Sequence, residues 1–172
     1  MTVRLPESLA PVPDAAERFA WAEQEERTVE GLHLCGADLS GTCYEGLRLR
    51  SVLFENCRLT GCRWERADLG NVVFRRCELS NSGWRDAFWE RTVFEDCKAV
   101  GAGFAETGWR QAAFAACALA YATFDRARLR EVAFSDCDLS HAAFHECTWK
   151  RLSLDKTRLR EASFLHTPLA GL

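Results

Sequence analysis

Residues 37–71 decide the fold; in groups of five they read ADLSG TCYEG LRLRS VLFEN CRLTG CRWER ADLGN. The third residue of every group is large and apolar: Leu39, Tyr44, Leu49, Phe54, Leu59, Trp64 and Leu69. The register extends from Val29 to Leu169, and all 29 of its positions are apolar, with no insertion. A period of five matches neither the 3.6 of an α-helix nor the 2.0 of a β-strand. Something must therefore turn the chain once per repeat.

A second column lies two residues before each apolar centre. It runs from Leu32 to Thr167, and 25 of its 28 residues are Ala, Cys, Thr, Val or Ser. Each repeat therefore contributes one large and one small side chain to a core, and three mostly polar side chains to the surface.

Three groups, ADLSG at 37–41, ADLGN at 67–71 and CDLSH at 137–141, show the pattern most clearly. They resemble the pentapeptide repeat family, whose loose consensus is small–polar–Leu/Phe–polar–polar. The resemblance covers residues 29–172. It implies an all-β, right-handed quadrilateral β-helix of about seven coils, with four faces and twenty residues per coil. Residues 1–28 then form an N-terminal segment with a short capping helix.

Residues spaced by twenty support such a coil independently of the family. We expect one aromatic stack and one aliphatic stack, the latter interrupted by Ala99. The first contains Phe54, Phe74, Phe94, Phe114 and Phe134, and the second contains Leu39, Leu59, Leu79, Leu119, Leu139 and Leu159.

The two ends of the solenoid differ. Residues 14–27 are predicted to be a helix, with Asp14 and Glu17 forming a capping box and Phe19 covering the first coil. At the other end, Leu172 occupies the small column of a repeat that lacks its centre. This arrangement indicates either a truncated chain or a homodimer formed through the C-terminal end.

Most of the nine cysteines fall in the small column, where a compact apolar thiol fills the core. Those in that column are Cys57, Cys62, Cys77, Cys97, Cys117, Cys137 and Cys147. Cys35 and Cys43 fall in outward columns and are predicted to be reactive thiols. An odd cysteine count without a secretion signal favours a reducing compartment, the cytoplasm, over a disulfide framework.

No catalytic or nucleotide-binding motif appears in the sequence. A filled solenoid also lacks a deep concave pocket. We therefore expect no enzymatic activity, no cofactor and no metal. The histidines are expected at the surface: His33, His141, His145 and His166. No apolar run is long enough to form a membrane-spanning helix.

Charge is distributed unevenly around the coil. The chain has a formal net charge of −3, but the face centred on Leu49, Leu69, Trp89, Trp109, Leu129, Trp149 and Leu169 is basic. This face has a net charge of +5, because it carries eight basic residues and three acids, Asp68, Glu90 and Glu131. The basic residues are Arg48, Arg50, Arg91, Arg110, Arg128, Arg130, Lys150 and Arg151. The other faces carry −2, 0 and −2. The basic residues are either an uneven solvated surface or a docking face for an acidic protein or a phosphate backbone.

An apolar stripe is predicted on the face of the phenylalanine stack. Its members precede the apolar centres: Leu53, Val73, Val93, Ala113 and Ala133. Such a stripe marks an interface if it is exposed. Alternatively, it reflects the preference of β-branched residues for strands.

These features predict a non-enzymatic interaction protein that presents rigid flat faces to a macromolecular partner. The family resemblance implies an alternative, the binding of DNA gyrase or topoisomerase IV by DNA mimicry, with protection against quinolones or toxins. A third hypothesis is direct binding of nucleic acid through the basic face.

Overall fold

A computed structural model describes residues 3, 5–12 and 14–170 and shows a parallel β-solenoid of about seven coils. Its elements, in chain order, are β1 (Ala10–Pro11), α1 (Ala15–Gln24), β2 (Thr28–Glu30), β3 (Leu32–Cys35), β4 (Cys43–Glu45), β5 (Arg48–Glu55), β6 (Arg63–Glu65), β7 (Asp68–Arg75), β8 (Phe88–Glu95), β9 (Gly108–Ala115), β10 (Arg128–Ser135) and β11 (Thr148–Asp155). From β5 onward, the long strands start twenty residues apart, whereas the two short strands, β4 and β6, lie on another side of the coil.

The strands pair in one register throughout. The main sheet has the order β1–β3–β5–β7–β8–β9–β10–β11, with β2 also paired to β5, while β4 and β6 form a separate pair. All pairings are parallel, and partners between long strands differ by twenty residues, as in Phe74 with Phe94. The predicted twenty-residue coil is therefore confirmed.

The turn required by the five-residue period lies two residues after each apolar centre. Every fifth residue from Glu26 to His166 has a positive φ, between 47° and 69°. Only six of these corners are glycine, and the other 23 hold left-handed non-glycine residues. A corner such as Arg91 also lies inside a long strand, so that one strand covers parts of two faces.

Aromatic rings stack along the core at the strand spacing. The ring centroids of consecutive phenylalanines from Phe54 to Phe134 are 4.6, 4.8, 4.5 and 4.8 Å apart, and Trp89 lies 4.7 Å from Trp109. These distances match the separation of neighbouring strands, about 4.8 Å. The predicted phenylalanine stack is confirmed, and its rings are buried.

Helix α1 covers the first coils. Phe19 is fully buried and makes edge-on contacts with Tyr44 and Trp64, at centroid distances of 6.1 and 5.6 Å. The Tyr44 hydroxyl donates a hydrogen bond to the Ala16 carbonyl at 3.0 Å. The predicted lid is therefore present, although the helix ends at Gln24 rather than at residue 27.

The predicted capping box is wrong. Asp14 is the N-cap residue, but its side chain makes no capping hydrogen bond. Its ψ of 59° departs from the extended conformation that directs an N-cap side chain toward the first turn. Packing of Phe19 holds the helix in place instead.

The last coil is less buried than the others. Leu154, Leu159 and Phe164 are partly buried, and Leu169 is 57% exposed, since no described coil covers them. Leu169 is therefore not a core residue, contrary to the repeat register. Leu172 lies outside the described residues, and a homodimer through this end remains a prediction.

One tryptophan lacks a hydrogen-bond acceptor that its neighbours have. The indole N–H of Trp109 donates to Thr107 at 2.8 Å, and that of Trp84 donates to Ser82 at 2.7 Å. Trp89 has Ala87 at the equivalent position, and its buried N–H has no partner among the described residues. A buried donor without a partner is costly.

We therefore predict that Ala87→Ser raises the free energy of unfolding by about 1 kcal/mol, because the new hydroxyl accepts from Trp89. Urea unfolding measures the change. The matched control is Ala127→Ser, at the same column before Leu129, which has no N–H to satisfy and should lose stability. A gain in both variants would contradict this explanation.

Candidate functional site

The predicted basic face lies on the first half of the long strands, on both sides of the buried centres. All eight predicted basic residues are exposed or half-buried: Arg48, Arg50, Arg91, Arg110, Arg128, Arg130, Lys150 and Arg151. The strand register places them in columns that run along the solenoid. The coil thus brings together residues that are up to 103 positions apart in the sequence.

Two of the three arginines in the N-terminal half of this face form ion pairs, and the third is bound to a backbone carbonyl. Arg50 extends over Gly70 and pairs with Asp68 at 2.5 Å, while donating to the Leu49 and Asp68 carbonyls at 2.9 Å. Arg91 pairs with Glu90 at 3.0 Å. Arg48 donates to the carbonyl of Glu26 at 3.3 Å. These three arginines are held by intramolecular contacts.

Three cations of the C-terminal half, Arg128, Arg130 and Lys150, lack such partners within residues 14–170. Arg110, Arg130 and Lys150 occupy one column on three successive strands. Within the same part of the chain, Arg110 reaches only Glu90, at 3.6 Å. Arg151 differs from them because it pairs with Glu131 at 2.5 Å. The positive charge that lacks an ion-pair partner is therefore concentrated on Arg128, Arg130 and Lys150.

In one other column, that of Asp38, Arg58, Glu78 and Lys98, the charges alternate in sign. Arg58 pairs with Asp38 at 2.7 Å, and Lys98 pairs with Glu78 at 3.4 Å. The hydrogen bond from Arg126 is the main cause of a lowered pKa of Glu106. Like charges on neighbouring strands repel one another. The column of Arg110, Arg130 and Lys150 is thus unfavourable by itself and favours an external anion.

A shallow groove of about 370 Å³ lies among these cations. A side chain at Gly108 would approach the Phe88 ring to 3.0 Å, so the ring occupies the space over that glycine. Phe88 is 43% exposed. We call this surface the basic groove, formed by Phe88, Gly108, Arg110, Arg128, Arg130 and Lys150. It combines free positive charge with an exposed aromatic ring.

The predicted apolar stripe is only partly present at the surface. Leu53 and Val73 are 9% and 5% exposed, whereas Val93, Ala113 and Ala133 are half-buried. Each side chain of the stripe lies between the side chains at the same position on the two adjacent strands. Leu53, Val73 and Val93 therefore cover one another. The prediction of an exposed stripe is therefore wrong for Leu53 and Val73.

The cysteines divide as predicted into buried and exposed thiols. All nine are free, and only Cys35 and Cys43 are exposed. Burial raises the pKa of Cys62 to about 12 and that of Cys147 to about 11. Cys77 donates its S–H to the Phe54 carbonyl at 3.4 Å, and Cys97 to Phe74 likewise. The raised pKa values keep Cys62 and Cys147 protonated, and all seven buried cysteines fill the core.

A potential metal-ligating group appears at the first coil. One ligand atom from each of His33, Cys35 and Glu55 lies within 4.8 Å of the other two. The repeat register predicted an exposed thiol at Cys35 and a surface histidine at His33, but no metal site. The signal was present, since Cys35 and Glu55 are twenty residues apart and His33 precedes Cys35 by two.

In the part of the chain that the structure describes, every helix is too short or too polar to cross a membrane.

This chain is similar in fold to several solved structures and matches a protein-family model. A solved trypsin-treated variant of QnrB1, a plasmid-mediated fluoroquinolone resistance protein, has 21% identity and a TM-score of 0.45, covering 83% of this chain and 67% of that one. Rfr23 from the cyanobacterium Cyanothece 51142 has 14% identity and a TM-score of 0.43, covering 86% and 94%. No protein of curated function matches.

HetL from Nostoc sp. strain PCC 7120, a protein involved in heterocyst differentiation regulation, has 15% identity and a TM-score of 0.26, covering 94% and 95%. The model of the pentapeptide repeat region matches residues 31–104 and 88–164. The two matched segments together cover most of the chain. The chain therefore belongs to the pentapeptide repeat family.

Proposed function

We propose that this chain is a non-enzymatic interaction protein that binds an acidic protein partner through the basic groove. The observation that carries the proposal is the column of Arg110, Arg130 and Lys150. These residues lie on three successive strands with no acid between them, and Glu90, on the strand before, contacts only the first of them, Arg110. A partner's carboxylates would relieve their mutual repulsion.

The surroundings of the column suit a protein surface. Phe88 adds an exposed aromatic ring beside the cations, and aromatic and arginine side chains dominate the energetics of protein interfaces. The groove lies on β8–β11, whose ladder of hydrogen-bonded strands provides a rigid support. A rigid face loses little conformational entropy on binding.

Charge and size favour an acidic protein over duplex DNA. The column from Arg110 to Lys150 spans two strand spacings, about 10 Å. Proteins that bind duplex DNA tightly neutralise roughly 6–10 phosphates, more than the four cations of the groove. Glu90 and Glu131 also lie near the groove residue Arg110 and would repel phosphates.

The test is fluorescence anisotropy with two labelled probes, a Glu/Asp-rich peptide and a short DNA duplex of random sequence. We expect the protein to bind the peptide at low ionic strength and to lose affinity as salt screens the charges. Tighter binding of the duplex would assign the face to nucleic acid. Binding of neither probe would contradict the proposal.

Gyrase or topoisomerase modulation remains a separate hypothesis from the family resemblance. DNA mimicry requires an acidic surface, whereas the largest net charge of any face in this chain is positive. A supercoiling assay with and without ciprofloxacin tests it, and neither inhibition nor rescue would eliminate it. The nine free thiols support a reducing compartment such as the bacterial cytoplasm as the place of action.

A further inference from the structure

Three different ligand types converge at the start of the solenoid. His33 and Cys35 flank buried Leu34 on β3, so both side chains lie on the outer side of the strand. Glu55 lies on β5 as the direct ladder partner of Cys35. An imidazole nitrogen, a thiol sulfur and a carboxylate oxygen therefore lie within 4.8 Å of one another at an accessible surface.

The group is specific to this coil. Along the solenoid, the column of His33 continues with the apolar residues Leu53, Val73 and Val93. The column that contains Cys35 and Glu55 continues with Arg75 and Glu95. The repeat therefore does not explain the placement of a histidine and a cysteine at the outer surface of β3.

We propose that His33, Cys35 and Glu55 form a binding site for a transition-metal ion of the zinc class. Zinc binds Cys sulfur at about 2.3 Å and His nitrogen or carboxylate oxygen at about 2.0–2.2 Å. Ligand atoms around such an ion are separated by roughly 3.3–3.8 Å. On binding an ion, the 3.0 Å separation of His33 Nε2 and Glu55 Oε2 would widen slightly, and the Cys35 sulfur, within 4.8 Å of both, would complete the set.

Contacts around Glu55 orient one of its oxygens toward the site. Its Oε2 lies 3.0 Å from His33 Nε2, and its Oε1 accepts a hydrogen bond from Arg76 at 2.6 Å. An ion replaces the contact between His33 and Oε2, while Arg76 continues to hold Oε1. Outer contacts of this kind fix the orientation of metal-ligating carboxylates.

The ligand set selects the type of ion. A thiolate and an imidazole favour Zn²⁺, Co²⁺ or Cd²⁺ over the hard ions Mg²⁺ and Ca²⁺, which prefer oxygen ligands. The thiolate and carboxylate together neutralise a divalent ion. Three protein ligands leave one tetrahedral position for water or for a ligand from another molecule.

The test uses the untagged protein after chelator treatment, titrated with CoCl₂ under reducing conditions and then with ZnCl₂ as competitor. We expect about one equivalent of Co²⁺ per chain, a thiolate-to-cobalt charge-transfer band, and displacement of Co²⁺ by Zn²⁺. Cys35→Ser removes the band. His33→Ala and Glu55→Gln each weaken Co²⁺ binding by about tenfold or more. Circular dichroism in chelator verifies that each variant is folded.

The matched control is Cys43→Ser, which removes the other exposed thiol and should leave Co²⁺ binding unchanged. Absence of a band in the wild-type protein overturns the site, as does a band that survives Cys35→Ser. A band that depends on Cys35 but not on His33 and Glu55 also overturns it, because it shows a single thiol binding alone. The site shares no residue with the basic groove, so either proposal can fail independently.

Discussion

Replacing Phe94 by Ala lowers the free energy of unfolding by about 3–5 kcal/mol, as expected for a deeply buried aromatic ring. Phe94 is 1% exposed and stacks between Phe74 and Phe114, at centroid distances of 4.8 and 4.5 Å. Both neighbours are fixed by the ladder, so the surrounding core has little freedom to collapse into the cavity. Urea denaturation followed by circular dichroism measures the loss.

The neighbouring residue provides the control. Glu95 points outward on the same strand and is half-buried, and its main contact is Arg75 at 2.8 Å. Because an ion pair of this exposure contributes little, Glu95→Ala should cost less than about 1 kcal/mol. Equal losses for Phe94→Ala and Glu95→Ala would contradict the inward and outward assignment of the repeat.

The second large effect concerns binding at the basic groove. Reversing three cations, Arg110/Arg128/Arg130→Glu, should weaken binding of the acidic peptide by about a hundredfold. An exposed ion pair contributes up to about 1 kcal/mol, so removing three of them at once corresponds to about two decades in Kd. Anisotropy titration against the wild-type protein measures the change.

A matched triple variant separates the groove from net charge. Arg63/Lys156/Arg160→Glu makes the same change in net charge at exposed cations off the basic face. We expect this control to retain most of the peptide affinity, with only a weak long-range loss. Equal loss in both triple variants would show that the peptide responds to overall charge, and the groove would then have no specific role.

The sequence determined the core because the five-residue period leaves one arrangement for its large side chains. Phe74 and Phe94 were predicted to stack from their spacing alone, and the ladder places them 4.8 Å apart. The same spacing placed Arg110 and Arg130 in one column. Periodicity carries this information because each coil repeats the geometry of the one before.

Features that depend on particular side-chain contacts could not be predicted in this way. The register placed Arg50 and Arg130 on one face, but only the structure shows that Arg50 is paired and Arg130 is free. The space over Gly108 depends on the rotamer of Phe88. The capping box failed because the local pattern at Asp14 does not specify a backbone angle. Positive φ at corners such as Arg91 was also missed, because non-glycine residues rarely adopt it.

The central claim is that residues twenty apart lie directly above one another, since both the basic groove and the metal-ligating group depend on it. Pulsed EPR tests this in a Cys35→Ser/Cys43→Ser background, with spin labels on cysteines at Arg58 and Arg158, or at Asp38 and Arg158. These positions share one column. We predict separations of about 24 and 29 Å, one strand spacing apart. Two distances that do not differ by about one spacing, or that exceed these values severalfold, would contradict the claim.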